Sequence, residues 1–306
     1  MIKILNPAVH AATILLALSA LSWADRSRSI YGDDDRVDYY AASPGMQALA
    51  DSVVSIWNAA DLAPAARGKI KLRTVRFRDS FNLCREVKFQ DQPRGPFASG
   101  SLVEESLVLT AGHVITDETA CKNARIVFGF AAKKRGARVA TTIPAAEVYR
   151  CAEIVERFRS LELSTGTPVK PALAGADFAL IRLDRPAKGY KPLRINRGAG
   201  LNAGDKVFVI GYPARLPLKI GEKGTVRDFT KEGCFITDLD VFPGNSGSPV
   251  FNAATGLIEG VMVREDGGYI ESPEGCVAMN VYAQADGDGN EITKISVAAP
   301  FIPESP

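Results

Sequence analysis

Histidine is nearly absent: the 306-residue sequence holds two, His10 and His113. Five cysteines are present, but no two stand in the close CxxC spacing of a zinc site, so the usual ligand set for that metal is missing. An excess of charge is missing as well, with 37 Lys and Arg against 35 Asp and Glu, a net charge of +2. Nucleic acids and anionic membranes are bound through a concentrated basic face, and a near-neutral chain argues against both. The single basic cluster, Lys133-Lys134-Arg135-Gly136-Ala137-Arg138, is built around a glycine between strand-like runs and reads as a solvated hairpin tip. No hydrophobic run is long enough to cross a bilayer comfortably; the longest candidate, from Ala11 to Leu21, falls short of the roughly 20 residues required. Internal repeats and low-complexity segments are absent too.

That short run has its own meaning. Lys3 precedes it, the small-x-small ending Ser22-Trp23-Ala24 follows it, and the polar stretch Asp25-Arg26-Ser27-Arg28-Ser29 comes next. The order is that of a cleavable secretory signal peptide over residues 1–24, cut after Ala24. Its removal takes away Lys3 and His10, leaves 36 basic against 35 acidic residues, and leaves no membrane anchor. The mature protein is then secreted or periplasmic, with His113 as its one histidine. All five cysteines, Cys84, Cys121, Cys151, Cys234 and Cys276, fall in the exported part, where oxidation is permitted and an odd count leaves one thiol over. Arg125 to Phe130 and Glu147 to Val155 read as neighbouring strands, which predicts a Cys121–Cys151 bridge. Cys234 with Cys276 is the second expected pair, leaving Cys84 free.

From about Phe97 onward, short runs rich in Val, Ile, Leu and Phe alternate with Gly, Pro, Asn and Asp clusters, the pattern of an antiparallel barrel or sandwich. The expected organisation is a mature amino-terminal segment over 25–46, with room for a short propeptide, and a first β half over 47–183. A linker over 184–197, a second β half over 198–296 and a tail over 297–306 complete it. Met46 to Ala60 fits a helix by the spacing of Leu49, Val53, Ile56 and Trp57, and a strand by the β-rich stretch from Ser52 to Trp57; strand is the preferred reading.

Three short motifs carry chemistry. His113 lies in Leu109-Thr110-Ala111-Gly112-His113-Val114, an apolar strand ending in a small-residue turn that would set an imidazole at a cleft edge. A lone histidine is also a common structural residue. Ser246 lies in Phe242-Pro243-Gly244-Asn245-Ser246-Gly247-Ser248-Pro249-Val250, a tight bend that projects a hydroxyl while the Gly244 and Ser246 N–H groups can converge on a developing oxyanion. The plain alternative is a Gly-Ser-Pro turn between strands. Asp177, in Gly175-Ala176-Asp177-Phe178-Ala179-Leu180-Ile181, is an acid at the mouth of an apolar strand, suited to fix an imidazole tautomer or simply to end a turn. The three occur in the order His, Asp, Ser, at separations of 64 and 69 residues, on an all-β background.

In TAGHV, DFALIRL and GNSGSP the sequence resembles the trypsin-like serine peptidases of the chymotrypsin fold. Ser29-Ile30-Tyr31-Gly32-Asp33-Asp34-Asp35-Arg36 is similar to the mature amino terminus of the bacterial glutamyl-endopeptidase-like (V8-like) branch, a likeness that extends over most of residues 29–296. The resemblance implies two antiparallel β-barrels with the active site in the cleft between them. It implies an endopeptidase in which Ser246 is the nucleophile, His113 the general base and Asp177 its orienting carboxylate, with Gly244 and Ser246 forming the oxyanion hole. Such an enzyme is a monomer that acts on a polypeptide substrate and needs neither metal nor other cofactor.

Two departures from that pattern bear on activation and specificity. Asn245 stands where animal trypsins carry the Asp that binds a new amino terminus, which excludes that switch. Glutamyl-specific members use a second histidine in the pocket, where this chain has Met262. In trypsins a carboxylate six residues before the nucleophile forms the pocket base, so Asp240, with Val263 lining the pocket and Glu265 beside it, is expected to bind substrate and favour Arg or Lys. A catalytically silent binding relative is the rival from another class, against which the intact triad positions weigh. The α/β-hydrolase order, Ser before Asp before His, is reversed here. Asp286-Gly287-Asp288-Gly289-Asn290-Glu291 opens like a calcium loop, but the twelfth position is Val297 rather than Glu, so a polar turn is expected.

Overall fold

The computed structural model describes residues 30–160, 173–264 and 268–304. The predicted signal peptide, its cleavage site and Glu265 lie outside the described residues.

Six antiparallel strands close a first barrel: β1 (Val53–Asn58), β2 (Ala98–Glu104), β3 (Leu107–Thr110), β4 (Ala124–Val127), β5 (Val148–Arg159) and β6 (Asp177–Leu183). Their order around the barrel is β4-β5-β6-β3-β2-β1, with β1 returning to β4. Another six make the second: β7 (Lys206–Gly211), β8 (Lys219–Asp228), β9 (Cys234–Thr237), β10 (Pro249–Asn252), β11 (Ile258–Arg264) and β12 (Asn290–Lys294). These run β7-β10-β11-β12-β9-β8 and close through β7–β8. The fold is the chymotrypsin-like double barrel, with the short strand Arg36–Asp38 added along β8 of the second barrel.

Burial on both faces explains why several strands read as unbroken apolar runs rather than alternating ones. Along β7, Val207 and Val209 join the second barrel's core with Phe235, Leu239, Val250 and Met262. Phe208 and Ile210 point the other way, into the large cluster that contains Trp57, Leu109 and Phe178 of the first barrel. Phe208 stacks on Phe251 of β10 at 4.9 Å between ring centroids. Each such buried side chain contributes roughly 1.5–3 kcal/mol, so the seam between the barrels is an apolar core in its own right.

The ambiguous stretch after Met46 resolves into both readings. Pro44–Ala50 is a helix, with Pro44 in its first turn and Ser43 accepting the Met46 N–H, and the strand begins only at Val53. A second short helix, Glu118–Asn123, follows the His113 turn and is capped by Asp117, whose carboxylate accepts from Thr119 and Ala120 N–H. It carries Cys121 to Cys151 on β5, the bridge expected between neighbouring strands.

The other cysteine pairing is a correction: the structure joins Cys84 to Cys276 and leaves Cys234 as the buried free thiol. The reason lies in long-range backbone pairing, since Cys84 N–H donates to Val277 O and Val277 N–H to Asn82 O, laying residues 82–84 beside the strand that follows Cys276. Cys234 opens β9 and faces Glu291, with its sulfur 3.0 Å from Oε1. Burial, aided by that carboxylate, pushes the Cys234 thiol up to about 12, where little thiolate forms. Iodoacetamide is therefore expected to leave the native protein unmodified and to label Cys234 alone after unfolding without reductant. Peptide mapping that found Cys84 alkylated would overturn the pairing.

Candidate active site

His113 and Asp177 are delivered by adjacent strands of the first barrel. β6 pairs with β3 on one side and β5 on the other, so the turn after β3 falls beside the first residue of β6. Asp177 Oδ1 accepts the backbone N–H of His113 and Oδ2 faces His113 Nδ1, each at 3.0 Å. Gly112 permits this approach: a Cβ there would lie 2.5 Å from Phe158 O and 2.9 Å from Asp177 Oδ1. The Asp177 side chain is 2% exposed and that of His113 26%, so the acid is sealed while the imidazole is partly open to solvent. Arg159, opposite Asp177 across β5 and β6, brings its Nε to 3.5 Å from Oδ2. Arg157 Nε donates to Gly112 O at 2.8 Å and fixes the turn from the same strand.

The second barrel also holds the acid. Thr293 on β12 accepts the Asp177 N–H through its hydroxyl (2.9 Å) and donates that hydroxyl to Asp177 O (3.1 Å). A buried carboxylate left without partners costs several kcal/mol; here His113 and Arg159 of the first barrel partner the carboxylate, while Thr293 of the second holds the Asp177 backbone.

Ser246 sits on the loop before β10 and is partly exposed. Ser99 of β2 ties this loop to the first barrel: its N–H donates to Ser246 O (2.9 Å), its hydroxyl donates to Gly244 O (2.7 Å), and the same hydroxyl accepts the Tyr212 N–H (3.1 Å). Gly247, at φ +86°, packs so closely that a Cβ would stand 2.1 Å from Ser99 O and 2.2 Å from Thr110 Oγ1. The Ser246 loop thus rests against the root of the His113 turn. No hydrogen bond joins the Ser246 hydroxyl to the imidazole among the described residues, a looseness common in catalytic pairs before substrate binds.

Within the loop, Asn245 N–H donates to Phe242 O, Gly247 N–H to Met262 O and Ser248 N–H to Asn245 O. Among the described residues the N–H groups of Gly244 and Ser246 have no acceptor. Gly244 has φ +109°, and a Cβ on it would meet Tyr212 O at 2.4 Å and Arg215 N at 3.0 Å. The abutting turn is itself unusual, since Ala214 (φ 54°) and Arg215 (φ 64°) are consecutive left-handed residues. For L-residues this costs roughly 1–2 kcal/mol each and persists only where the surroundings enforce it.

The expected substrate-binding residues fare differently. Val263 is a buried residue of β11 beside Met262, which is buried in the second barrel's core. Asp240 is 3% exposed, and its two oxygens accept the backbone N–H groups of Tyr31 (2.8 Å) and Asp35 (3.1 Å). The carboxylate braces the amino-terminal segment against the loop that leads to Ser246. Arg36 continues that brace, its guanidinium 4.2 Å from the Phe242 ring centroid and paired with Asp34.

Burial, with the neighbouring Asp35 carboxylate adding to it, pushes the Asp240 carboxyl up to about 7. A carboxyl that binds its proton more tightly when folded contributes stability that is complete below the ordinary carboxylate range and is lost as pH rises through about 7. Between pH 4 and 8 the wild type is expected to lose on the order of 2 kcal/mol more stability than Asp240→Asn. Denaturant midpoints at the two pH values measure this, and equal losses in the two proteins would sink it.

Thr293, Ser99, Arg159 and the turn at 212–216 escaped the sequence reading. Each acts over a long separation in the chain, so no local pattern marks them.

The family description "Trypsin-like peptidase domain" matches residues 98–261, more than half of the chain, and takes in His113, Asp177 and Ser246. No curated protein matches the chain. Among solved structures, a serine endoprotease from Yersinia pestis is similar at 17% identity with a TM-score of 0.46, covering 85% of this chain, which spans 65% of that one. A Glu endopeptidase in complex with MPD is similar at 18% identity with a TM-score of 0.48, covering 89% of this chain and 97% of that one.

Proposed function

The chain belongs to the trypsin-like peptidases, and on that premise we propose that it is a secreted serine endopeptidase working through an acyl-enzyme on Ser246. The observation that carries the reading is the two-point hold of Asp177 on His113, at 3.0 Å to the backbone N–H and 3.0 Å to Nδ1. With Nδ1–H given to Asp177, the lone pair of the imidazole lies on Nε2, the nitrogen able to take a proton from a serine hydroxyl.

As Ser246 Oγ bonds to the scissile carbonyl carbon, its proton passes to His113 Nε2 and the carbonyl oxygen becomes an oxyanion. The N–H groups of Gly244 and Ser246 stabilise that charge. Collapse breaks the C–N bond, and His113 returns the proton to the leaving amine. Water then repeats the sequence on the ester: His113 takes its proton, the acid product leaves, and Ser246 regains its hydrogen. Every step uses side chains and amides of the chain itself, with a polypeptide as substrate. The two disulfides and the amino-terminal signal pattern support export, with the mature chain starting after Ala24.

A fluorophosphonate is the direct test. Its phosphorus should be attacked by Ser246 alone, giving one labelled peptide spanning 242–250. Labelling elsewhere, or none on protein that hydrolyses casein, would refute the assignment.

A further inference from the structure

The geometry points to Arg215 as a positioning residue for the oxyanion loop, an inference that rests on the serine-peptidase reading above. The turn at 212–216 joins β7 to β8 and is buried although irregular, with Tyr212, Pro213, Ala214 and Leu216 all inside. Two hydrogen bonds close it, Arg215 N–H to Tyr212 O and Leu216 N–H to Pro213 O. Neither explains why two consecutive L-residues adopt the left-handed conformation without a glycine.

The explanation lies across the seam between the barrels. Arg215 Nε donates to Pro96 O (3.1 Å) and Nη2 to Gly95 O (2.7 Å), while Gly95 N–H donates to Arg215 O (2.9 Å). Arg94 Nε donates to Ala214 O (2.7 Å), and its guanidinium lies 4.9 Å from the Phe81 ring centroid. The carbonyls of both left-handed residues, and the side chain of the second, are thereby fixed to residues 94–96, just before β2 of the first barrel. A planar guanidinium suits this task because its donors reach two successive carbonyls in one orientation.

Gly244 rests on the turn so fixed. Tyr212 O and Arg215 N occupy the space a Cβ on Gly244 would need, so the left-handed path of 214–215 and the φ of +109° at Gly244 fit each other. Arg215 spends its guanidinium on backbone carbonyls and acts on the reaction only through the Gly244 amide. Seating of one barrel on the other is then felt at the oxyanion hole.

The test uses Arg215→Ala in the full-length mature protein with p-nitrophenyl acetate, a substrate that makes little demand on side-chain pockets. The acylation rate is expected to fall about 30-fold with KM within about twofold, since an oxyanion donor is displaced rather than removed. Phenylboronic acid, whose tetrahedral adduct places an oxygen in the hole, should bind more weakly by a similar factor. Arg215→Gly removes the same side chain but takes φ +64° without penalty, and it is expected to recover to within about fivefold of wild type. An Arg215→Ala protein that acylates within twofold of wild type, or an Arg215→Gly protein no faster than Arg215→Ala, would overturn the inference. If Arg215→Ala does not fold, Arg215→Lys is read instead: a fall of about tenfold supports the inference, and a rate within twofold of wild type defeats it. Wild-type protein with neither a Ser246-dependent burst nor fluorophosphonate labelling would instead defeat the serine-peptidase reading itself.

Discussion

Replacing Ser246 with alanine is expected to reduce peptide hydrolysis by about a millionfold while leaving the fold unchanged. The two halves of that result have separate physical grounds. In the proposed mechanism, loss of Oγ removes the atom that bonds to the carbonyl carbon, and neither His113 nor the Gly244 and Ser246 amides can substitute for it. The structure meanwhile gives the hydroxyl no hydrogen-bond partner among the described residues, so its removal strands no buried donor or acceptor. Ser246 is anchored by its backbone instead, through the Ser99 N–H, and the flanking glycines keep their close contacts. The unfolding free energy should therefore stay within about 0.5 kcal/mol of wild type, as for a substitution that opens no cavity and breaks no network. Casein hydrolysis and a thermal melt on the same preparation measure both halves. Activity within a hundredfold of wild type would show that another residue is the nucleophile.

The three chemical motifs were legible because each is local: a strand runs into a turn, and a short run of residues fixes what the turn can present. Why they work together was not legible. Gly112 reads as a small turn residue, whereas in the fold it is the gap through which Asp177 and the Phe158 carbonyl approach. The hold of Thr293 on Asp177 spans 116 residues and that of Ser99 on Gly244 spans 145, and nothing near either residue announces it. β12 was missed outright, because Asn290-Glu291-Ile292-Thr293-Lys294 follows a Gly and Asp turn and is half polar; its pairing with both β9 and β11 makes it a strand. The cysteine reading erred for a related reason. The expected partner of Cys276 is Cys234, but pairing of residues 82–84 with the strand after Cys276 brings Cys84 there instead. Asp240 stands at the spacing of a pocket base, and its spacing says nothing of the two N–H groups it accepts from the amino-terminal segment, more than 200 residues away.

Asp177→Asn is expected to lower kcat about ten-thousandfold near neutral pH with little change in KM, and the geometry around the carboxylate says why. Asp177 presents two acceptors to two partners, the His113 N–H and Nδ1. Asparagine has one acceptor and one donor. If its oxygen keeps the backbone N–H of His113, its amide NH₂ faces Nδ1, which must then accept, and the imidazole proton moves to Nε2. A histidine in that tautomer has no lone pair toward Ser246 and cannot take the serine proton. The reverse placement sets the NH₂ against the His113 N–H, donor against donor, and is disfavoured. Arg159, 3.5 Å from Oδ2, would also lose its carboxylate partner. Binding of substrate before chemistry involves none of these groups, so KM should move little. The backbone bonds from Asp177 to Thr293 survive the substitution and should keep the strand in place. Steady-state kinetics on a defined peptide, with ¹⁵N NMR of His113 to report the tautomer, test both parts. A kcat within tenfold of wild type, or a proton that stays on Nδ1 in the variant, would remove Asp177 from the role given to it.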